Sequence, residues 1–155
     1  MRDTPDRWEK ENIRLFEEEA PDREFARVGA ECASDSDLLR QSLRNTAQLV
    51  DDLEDGKALW VRRLDGASYE LTPDLFRDPP SPIGTELRRS LILHHTSRDR
   101  INDLRERLGL EDVSAVARFA LRFFYRIVRE ATAGATFRVV DQNGASTEVR
   151  FGTLS

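Results

Sequence analysis

Two stretches of the chain carry the same pattern and decide its fold: SDLLRQSLR at residues 36–44 and SAVARFALR at residues 114–122. They lie 78 residues apart, and an ungapped alignment at this offset runs on through Leu71 with 11 identities in 36 positions. The alignment includes Gly-Ala-Ser at residues 66–68, which recurs at 144–146. Similar helix-and-hairpin patterning alone would also make two segments look alike, but the shared turn favours a true internal repeat.

The second copy has the stronger patterning and predicts a strand, two helices and a hairpin. Residues 88–94 partly alternate between polar and apolar, as strand residues do. Apolar residues then recur at helical spacing over 101–108, and a longer helix runs from a cap at Ser114 through about residue 131. Residues 136–151 flank an Asn-Gly turn, which is the strongest short hairpin signal.

The first copy follows the same order with weaker patterning. Its elements are a strand over 10–16, a short helix over 25–32, a longer helix over 34–53 and a hairpin that turns at Asp65-Gly66. A proline-rich segment separates the two copies, and its successive prolines favour an extended linker. We therefore divide the chain into a first repeat with its hairpin (1–71), a linker (72–86) and a second repeat with its hairpin (87–155).

This order of elements resembles the ribbon-helix-helix (Arc/MetJ-like) family over residues 10–53 and again over 88–131, with the hairpins outside the resemblance. The resemblance implies an α+β fold of tandem repeats, in which one strand from each copy pairs into an antiparallel ribbon that enters the major groove of DNA. A linker of about 15 residues, at roughly 3 Å per residue, is long enough to join both copies in one unit. We expect residues 12–16 to pair with 90–94, within one chain as a pseudo-dimer or, by exchange, in a homodimer.

The resemblance places the DNA-reading side chains on the outward face of the ribbon. Because neighbouring strand residues point to opposite faces, Ile13 and Leu15 directed into the core leave the alternate residues outside. Asparagine and arginine make bidentate contacts to adenine and guanine, whereas isoleucine departs from the polar pattern and suits a thymine methyl group. The expected strand contacts are Lys10, Asn12, Arg14, Arg88, Ser90 and Ile92.

The resemblance also implies a phosphate contact at the N-terminus of the second helix of each repeat, where N–H groups and the helix dipole attract anions. We assign this contact to Ser114, and its counterpart in the first repeat lies at residues 36–38. Acidic residues stand close to both helix starts, where they suit helix capping and compete with a phosphate. These residues are Asp35, Asp37, Glu111 and Asp112.

Charge is distributed unevenly along the chain. The net charge is −5, with −8 over residues 1–78 and +3 over 79–155. A polyanion is therefore expected to approach the second half, while the acidic first repeat suits a protein partner. Four aromatic residues crowd the second long helix, and they form either core alone or core together with a contact surface. They are Phe119, Phe123, Phe124 and Tyr125.

Several classes of protein are excluded by composition and motifs. A single cysteine, Cys32, excludes an internal disulfide and a thiolate zinc cluster. His94 and His95 are strand neighbours that point to opposite faces, so we expect no shared metal ion. The sequence has no glycine-rich phosphate loop and no nucleophile motif, and we expect no enzyme activity and no cofactor. With no apolar run of roughly 18 residues and no apolar leader, we expect a cytoplasmic protein that does not contact a membrane.

The sequence therefore predicts a DNA-binding transcriptional regulator, such as a repressor, which acts by occupying an operator in double-stranded DNA. The alternative is a non-enzymatic protein-interaction module or an antitoxin-like protein on the same scaffold. In either case the two long helices share one core, because their apolar faces match in the alignment. Its expected members are Leu43, Val50, Leu121, Phe124 and Val128.

Overall fold

A computed structural model describes residues 8–79 and 86–151 of the chain. This part of the chain is an α+β protein with four α-helices and two antiparallel sheets, in agreement with the predicted class. The strands are β1 (Trp8–Phe16), β2 (Ala58–Arg62), β3 (Ser68–Glu70), β4 (Glu86–His94), β5 (Thr136–Val140) and β6 (Ser146–Val149). The helices are α1 (Ala20–Gly29), α2 (Asp35–Glu54), α3 (His95–Leu108) and α4 (Val113–Thr132).

The offset found in the sequence is also an offset between elements. The pairs β1 and β4, α2 and α4, and β2 and β5 have bounds that differ by 78 residues at both ends. The first helices of the two halves differ more, since α1 has 10 residues and α3 has 14. The chain therefore contains two copies of one order of elements.

Both sheets are centred on residues that are equivalent in the two halves. β1 pairs antiparallel with β4 in the same chain, as expected, and Asn12 lies opposite Ser90, 78 residues away. In the four-stranded sheet, of order β3-β2-β5-β6, Trp60 lies opposite Arg138 at the same separation. A pseudo-two-fold axis therefore passes through the centre of each sheet.

The two sheets lie at opposite ends of the long helices. α2 and α4 each begin beside the β1–β4 ribbon, where Ser36 and Ser114 contact its strands, and each ends shortly before a hairpin. Twenty residues of α-helix span about 30 Å. The ribbon therefore lies at the N-terminal ends of these helices, and the four-stranded sheet packs nearer their C-terminal ends, where the Tyr69 hydroxyl of β3 donates a hydrogen bond to the Glu130 carboxylate of α4.

α1 begins five residues before the predicted short helix over 25–32 and ends at Gly29, so Cys32 lies beyond it. The starts of the two long helices differ from the sequence prediction in one respect. Ser34 caps α2 by accepting a hydrogen bond from the Asp37 N–H. The cap of α4 is Asp112 and not Ser114, because Asp112 accepts from the Ala115 N–H while Ser114 lies one residue inside the helix start. Aspartate and serine are equally good caps, so local sequence does not choose between them.

A single hydrophobic core draws on both repeats, and all five residues predicted for it are buried in it. α2 packs against α4 at its centre. The Phe119, Phe123 and Phe124 side chains are buried, and Tyr125 is half-buried. Three of the four crowded aromatic residues therefore belong to the core.

Part of the predicted linker is also packed. Pro73–Leu75 form a 3₁₀ turn, after which Phe76 inserts against the Phe119 and Phe123 rings at centroid distances of 5.8 and 5.3 Å. The rest of the linker up to β4, residues 80–85, lies outside the described residues. Among the described helices, none is both long and apolar enough to cross a membrane.

Candidate nucleic-acid interface

The six strand residues expected to read DNA share one face of the ribbon. Opposed residues of an antiparallel pair lie on the same face, and the register sets Lys10 against Ile92, Asn12 against Ser90 and Arg14 against Arg88. On the other face four apolar residues are buried in the core, as the alternation predicts, whereas Glu9, Glu11 and Arg89 of that face are not buried. The buried residues are Ile13, Leu15, Leu91 and Leu93.

Most of the outward face is open to solvent. Lys10, Asn12, Arg88, Ser90 and Ile92 are all exposed. At the centre of the face, the Ser90 hydroxyl donates a hydrogen bond of 2.9 Å to the Asn12 Oδ1. This bond uses the amide oxygen of Asn12 and orients the side chain, with the Nδ2 donors on the other side of the amide group.

Arg14 is held in place by groups of the protein itself. Its Nη2 lies 2.7 Å from the Asp112 Oδ2, and the two side chains are 42% and 36% exposed. Its carbonyl oxygen accepts a 2.7 Å hydrogen bond from the Arg118 guanidinium. A shallow depression of about 330 Å³ lies here, lined by Asn12, Arg14, Arg88, Asp112, Val113 and Ser114.

The Ser114 side chain is buried, and its hydroxyl accepts a hydrogen bond from the backbone of the ribbon. The Arg14 N–H donates to the Ser114 Oγ at 2.9 Å. At the equivalent position, the Ile92 N–H donates to the Ser36 Oγ at 3.0 Å. A two-stranded ribbon leaves outward N–H groups on both edges, and each serine satisfies one of them. Strand alternation carries no signal for this contact, which depends on how the helix start meets the ribbon edge.

The positive ends of both long helices are already occupied by protein groups. At α4, the Asp112 Oδ1 accepts from the Ala115 N–H at 2.8 Å. At α2, the Ser34 Oγ accepts from the Asp37 N–H at 3.1 Å, and the Asp37 carboxylate beside it accepts from the Ala33 N–H, which precedes the helix. Burial opposes ionisation of Asp37, but hydrogen bonds from Ala33 and Arg40 outweigh it and lower its pKa. A phosphate bound here would therefore meet a carboxylate.

The charges around the ribbon are mixed. Arg89 of β4 lies 3.4 Å from Asp35 at the start of α2, so a positive and a negative charge lie side by side where this helix meets the ribbon. On the inward side, Arg98 forms ion pairs with Glu9 and Glu11. The outward face itself carries three cations, Lys10, Arg14 and Arg88, and one anion, Glu86. Its net charge is thus positive although the chain as a whole is acidic.

One exposed aromatic side chain at the end of the ribbon was missed by sequence reasoning. Trp8 is 52% exposed, with its ring 5.0 Å from the His94 ring and 6.0 Å from the Arg40 guanidinium. The strand extends two residues further towards the N-terminus than the sequence predicts, and the alternation of β1 continued backwards would have placed Trp8 outward.

The prediction that His94 and His95 are strand neighbours on opposite faces is wrong, because β4 ends at His94 and the chain turns into α3 at His95, which brings the two ring centroids to 4.2 Å. His94 caps α3 by accepting from the Thr96 N–H, and His95 is the first residue of that helix. Within the described residues there is no group of three or more His, Cys, Asp or Glu side chains arranged to hold a metal ion.

Comparison of the chain with protein-family models, with curated proteins and with solved structures gives no match.

Proposed function

We propose that this protein binds double-stranded DNA through the outward face of the β1–β4 ribbon and acts as a transcriptional regulator, with its two repeats forming a tandem ribbon-helix-helix unit. The observation that carries this proposal is the set of exposed basic and hydrogen-bonding side chains on one face of the ribbon: Lys10, Asn12, Arg88 and Ser90.

The shape of the ribbon supports the proposal. The major groove of B-DNA admits a two-stranded β-ribbon, and base edges there offer acceptors, donors and methyl groups. Arg88 suits the O6 and N7 atoms of guanine, Asn12 suits adenine, and Lys10 suits guanine or a phosphate. Ser90 orients Asn12, and Ile92 offers an apolar contact to a thymine methyl group.

Arg14 and Ser114 have different places in this proposal. The Asp112 carboxylate forms an ion pair with the Arg14 guanidinium on the outward face of the ribbon. A contact between Arg14 and a base therefore also brings this carboxylate close to the DNA. The Ser114 hydroxyl supports the ribbon edge. We therefore keep Arg14 as a base contact and assign Ser114 to the support of the ribbon.

The proposal is tested by fluorescence anisotropy with labelled duplexes that tile the genomic region around the coding sequence, at about 50 mM salt, which favours phosphate contacts. We expect binding that weakens steeply with salt. The double variant Lys10→Ala/Arg88→Ala should bind at least about tenfold more weakly, since each base or phosphate contact contributes on this scale.

The matched control is Arg62→Ala, which removes an exposed arginine from β2, on the sheet at the other end of the long helices. It should bind like the wild type. Equal binding by the control and the double variant would overturn the ribbon as the interface, and no binding to any duplex would overturn DNA as the ligand.

A second candidate is a protein-interaction module, or an antitoxin-like protein, on the same scaffold, which binds a basic protein segment through the carboxylates beside the ribbon. It is favoured by the carboxylates at both helix starts, where a phosphate contact would need open N–H groups. The variant Asp112→Asn separates the candidates, because asparagine preserves the cap and removes the charge. DNA binding should tighten in this variant, whereas binding of a basic partner should weaken. The control is Asp65→Asn, which makes the same change in the β2–β3 turn.

A further inference from the structure

The two halves of the ribbon face carry different chemistry although the pseudo-two-fold axis relates them. At the 78-residue offset, Arg14 is equivalent to Ile92, and Lys10 is equivalent to Arg88. On one side of the central Asn12–Ser90 pair, two arginines therefore face each other. On the other side, a lysine faces an isoleucine. We call these the arginine half (Arg14 and Arg88) and the isoleucine half (Lys10 and Ile92).

The ends of the two halves differ as well. The isoleucine half ends in the exposed Trp8 ring, packed against His94. The arginine half ends in the exposed Glu86, opposite the buried Phe16. An acidic side chain repels a nearby phosphate, whereas an exposed indole does not. A phosphate of the DNA backbone is therefore repelled at the Glu86 end of the ribbon and not at the Trp8 end.

The covalent connection of the two copies permits this difference. Two identical subunits present identical halves, and their binding sites mirror that symmetry as palindromes. In this chain both strands of the ribbon come from one polypeptide, so each half carries its own residues. Arg14 and Arg88, which lie opposite each other, suit guanine, whereas the Ile92 side chain, 51% exposed, suits a thymine methyl group.

We propose that the ribbon reads a non-palindromic DNA site in a single orientation, with guanine under the arginine half and thymine under the isoleucine half. This inference rests on the proposed function. Arg14 and Ile92 are the residues that determine the orientation, because they occupy equivalent positions with unlike chemistry.

The test selects bound sequences from a pool of random duplexes with the full chain and compares the consensus with its own reverse complement. We expect a consensus that differs from its reverse complement. Replacing the thymine side by a mirror copy of the guanine side should weaken binding by about 5- to 150-fold, the range for one mismatched base pair within a specific site.

The variant Ile92→Arg makes the two positions alike. It should shift the selected consensus towards a palindrome with guanine on both sides and should bind the mirrored duplex more tightly than the wild type does. The control Leu64→Arg adds the same charge at a side chain that is 81% exposed in the β2–β3 turn, and it should retain the wild-type consensus.

The outcomes distinguish failure of the single orientation from failure of DNA binding. A palindromic consensus for the wild type, or an unchanged consensus for Ile92→Arg, overturns the single orientation and leaves DNA binding intact. Failure of the folded wild type to enrich any sequence overturns the proposed function, and the orientation falls with it.

Discussion

The helices α2 and α4 occupy equivalent places in the two repeats and have the same length of 20 residues, but they differ in burial. α2 buries seven of its side chains and α4 buries thirteen. α4 packs against α1, α2, α3 and β1, and the segment that follows β3 covers it further with Phe76. Two copies of one sequence pattern therefore do not have equally buried helices, because the segment that connects the copies packs against α4 of the second copy.

The largest expected difference lies at Phe123 and its equivalent Asn45. Phe123 is fully buried between Phe76 and Phe151, whereas Asn45 is only half-buried. Phe123→Ala should lower the free energy of unfolding by about 3–5 kcal/mol, and Asn45→Ala by less than about 1 kcal/mol. Urea unfolding followed by circular dichroism measures both, and equal losses would contradict the central place of α4.

Acid should weaken the connection that covers α4. Asp78 lies 2.7 Å from both Arg118 and Arg122 of α4. Burial raises the pKa of Asp78, but hydrogen bonds from the two arginines outweigh it, so the pKa is lowered overall. A carboxyl with a lowered folded-state pKa stabilises the protein above its unfolded pKa of about 3.9, and this contribution is lost as the pH falls through the folded value.

Asp78→Asn should therefore cost about 1–3 kcal/mol near neutral pH, the range for hydrogen bonds to charged groups. The difference from the wild type should shrink as the pH falls below about 4. Urea unfolding at a series of pH values measures it. A difference that stays constant down to pH 2 would exclude the ionised carboxylate as its cause.

The same comparison applies to the ribbon. Arg14→Ala should cost about 1–3 kcal/mol in specific DNA binding and relax the preference at one base pair, because a charged bidentate contact is lost. Ile92→Ala, at the equivalent position, should cost less than about 1 kcal/mol, because only part of an apolar contact is removed. Anisotropy titrations against the selected duplex measure both, and a larger loss for Ile92→Ala would reverse the roles of the two halves.

The smallest effects are expected at the two serines that support the ribbon edges. Ser114→Ala and Ser36→Ala each leave one strand N–H without its partner, at a cost of about 0.5–2 kcal/mol. The cost should be larger for Ser114, which is buried, than for Ser36, which is half-buried and admits water. Hydrogen exchange at the Arg14 and Ile92 amides provides the measurement. Unchanged protection at both amides would mean that the serines do not support the edges.

Several features were predictable because they depend on local chemistry and periodicity. The antiparallel pairing of the ribbon follows from the repeat, since each copy supplies one strand that needs a partner. The shared core follows from the 3.6-residue period, which placed Leu43 and Leu121 on matching faces. The left-handed residue that ends α3, Gly109, follows from the conformational freedom of glycine.

The candidate site was predictable only in part. Alternation placed six residues on one face, but it carries no signal for the Asp112 carboxylate that pairs with Arg14. The cap of α4 was assigned to Ser114, because Asp112 and Ser114 both have cap chemistry and only the meeting of helix and ribbon decides between them.

The sequence by itself determined the order of elements, the 78-residue repeat and the face of each strand, since these depend on residues close together in the chain. Tertiary structure alone decided which equivalent residues differ in burial and in the charged groups they pair with. Arg40 pairs with Asp37 on its own helix, while its equivalent Arg118 is buried and pairs with Asp78. The physical reason is that burial and charge pairing depend on neighbours distant in sequence, and the segment connecting the repeats supplies such neighbours to only one of them.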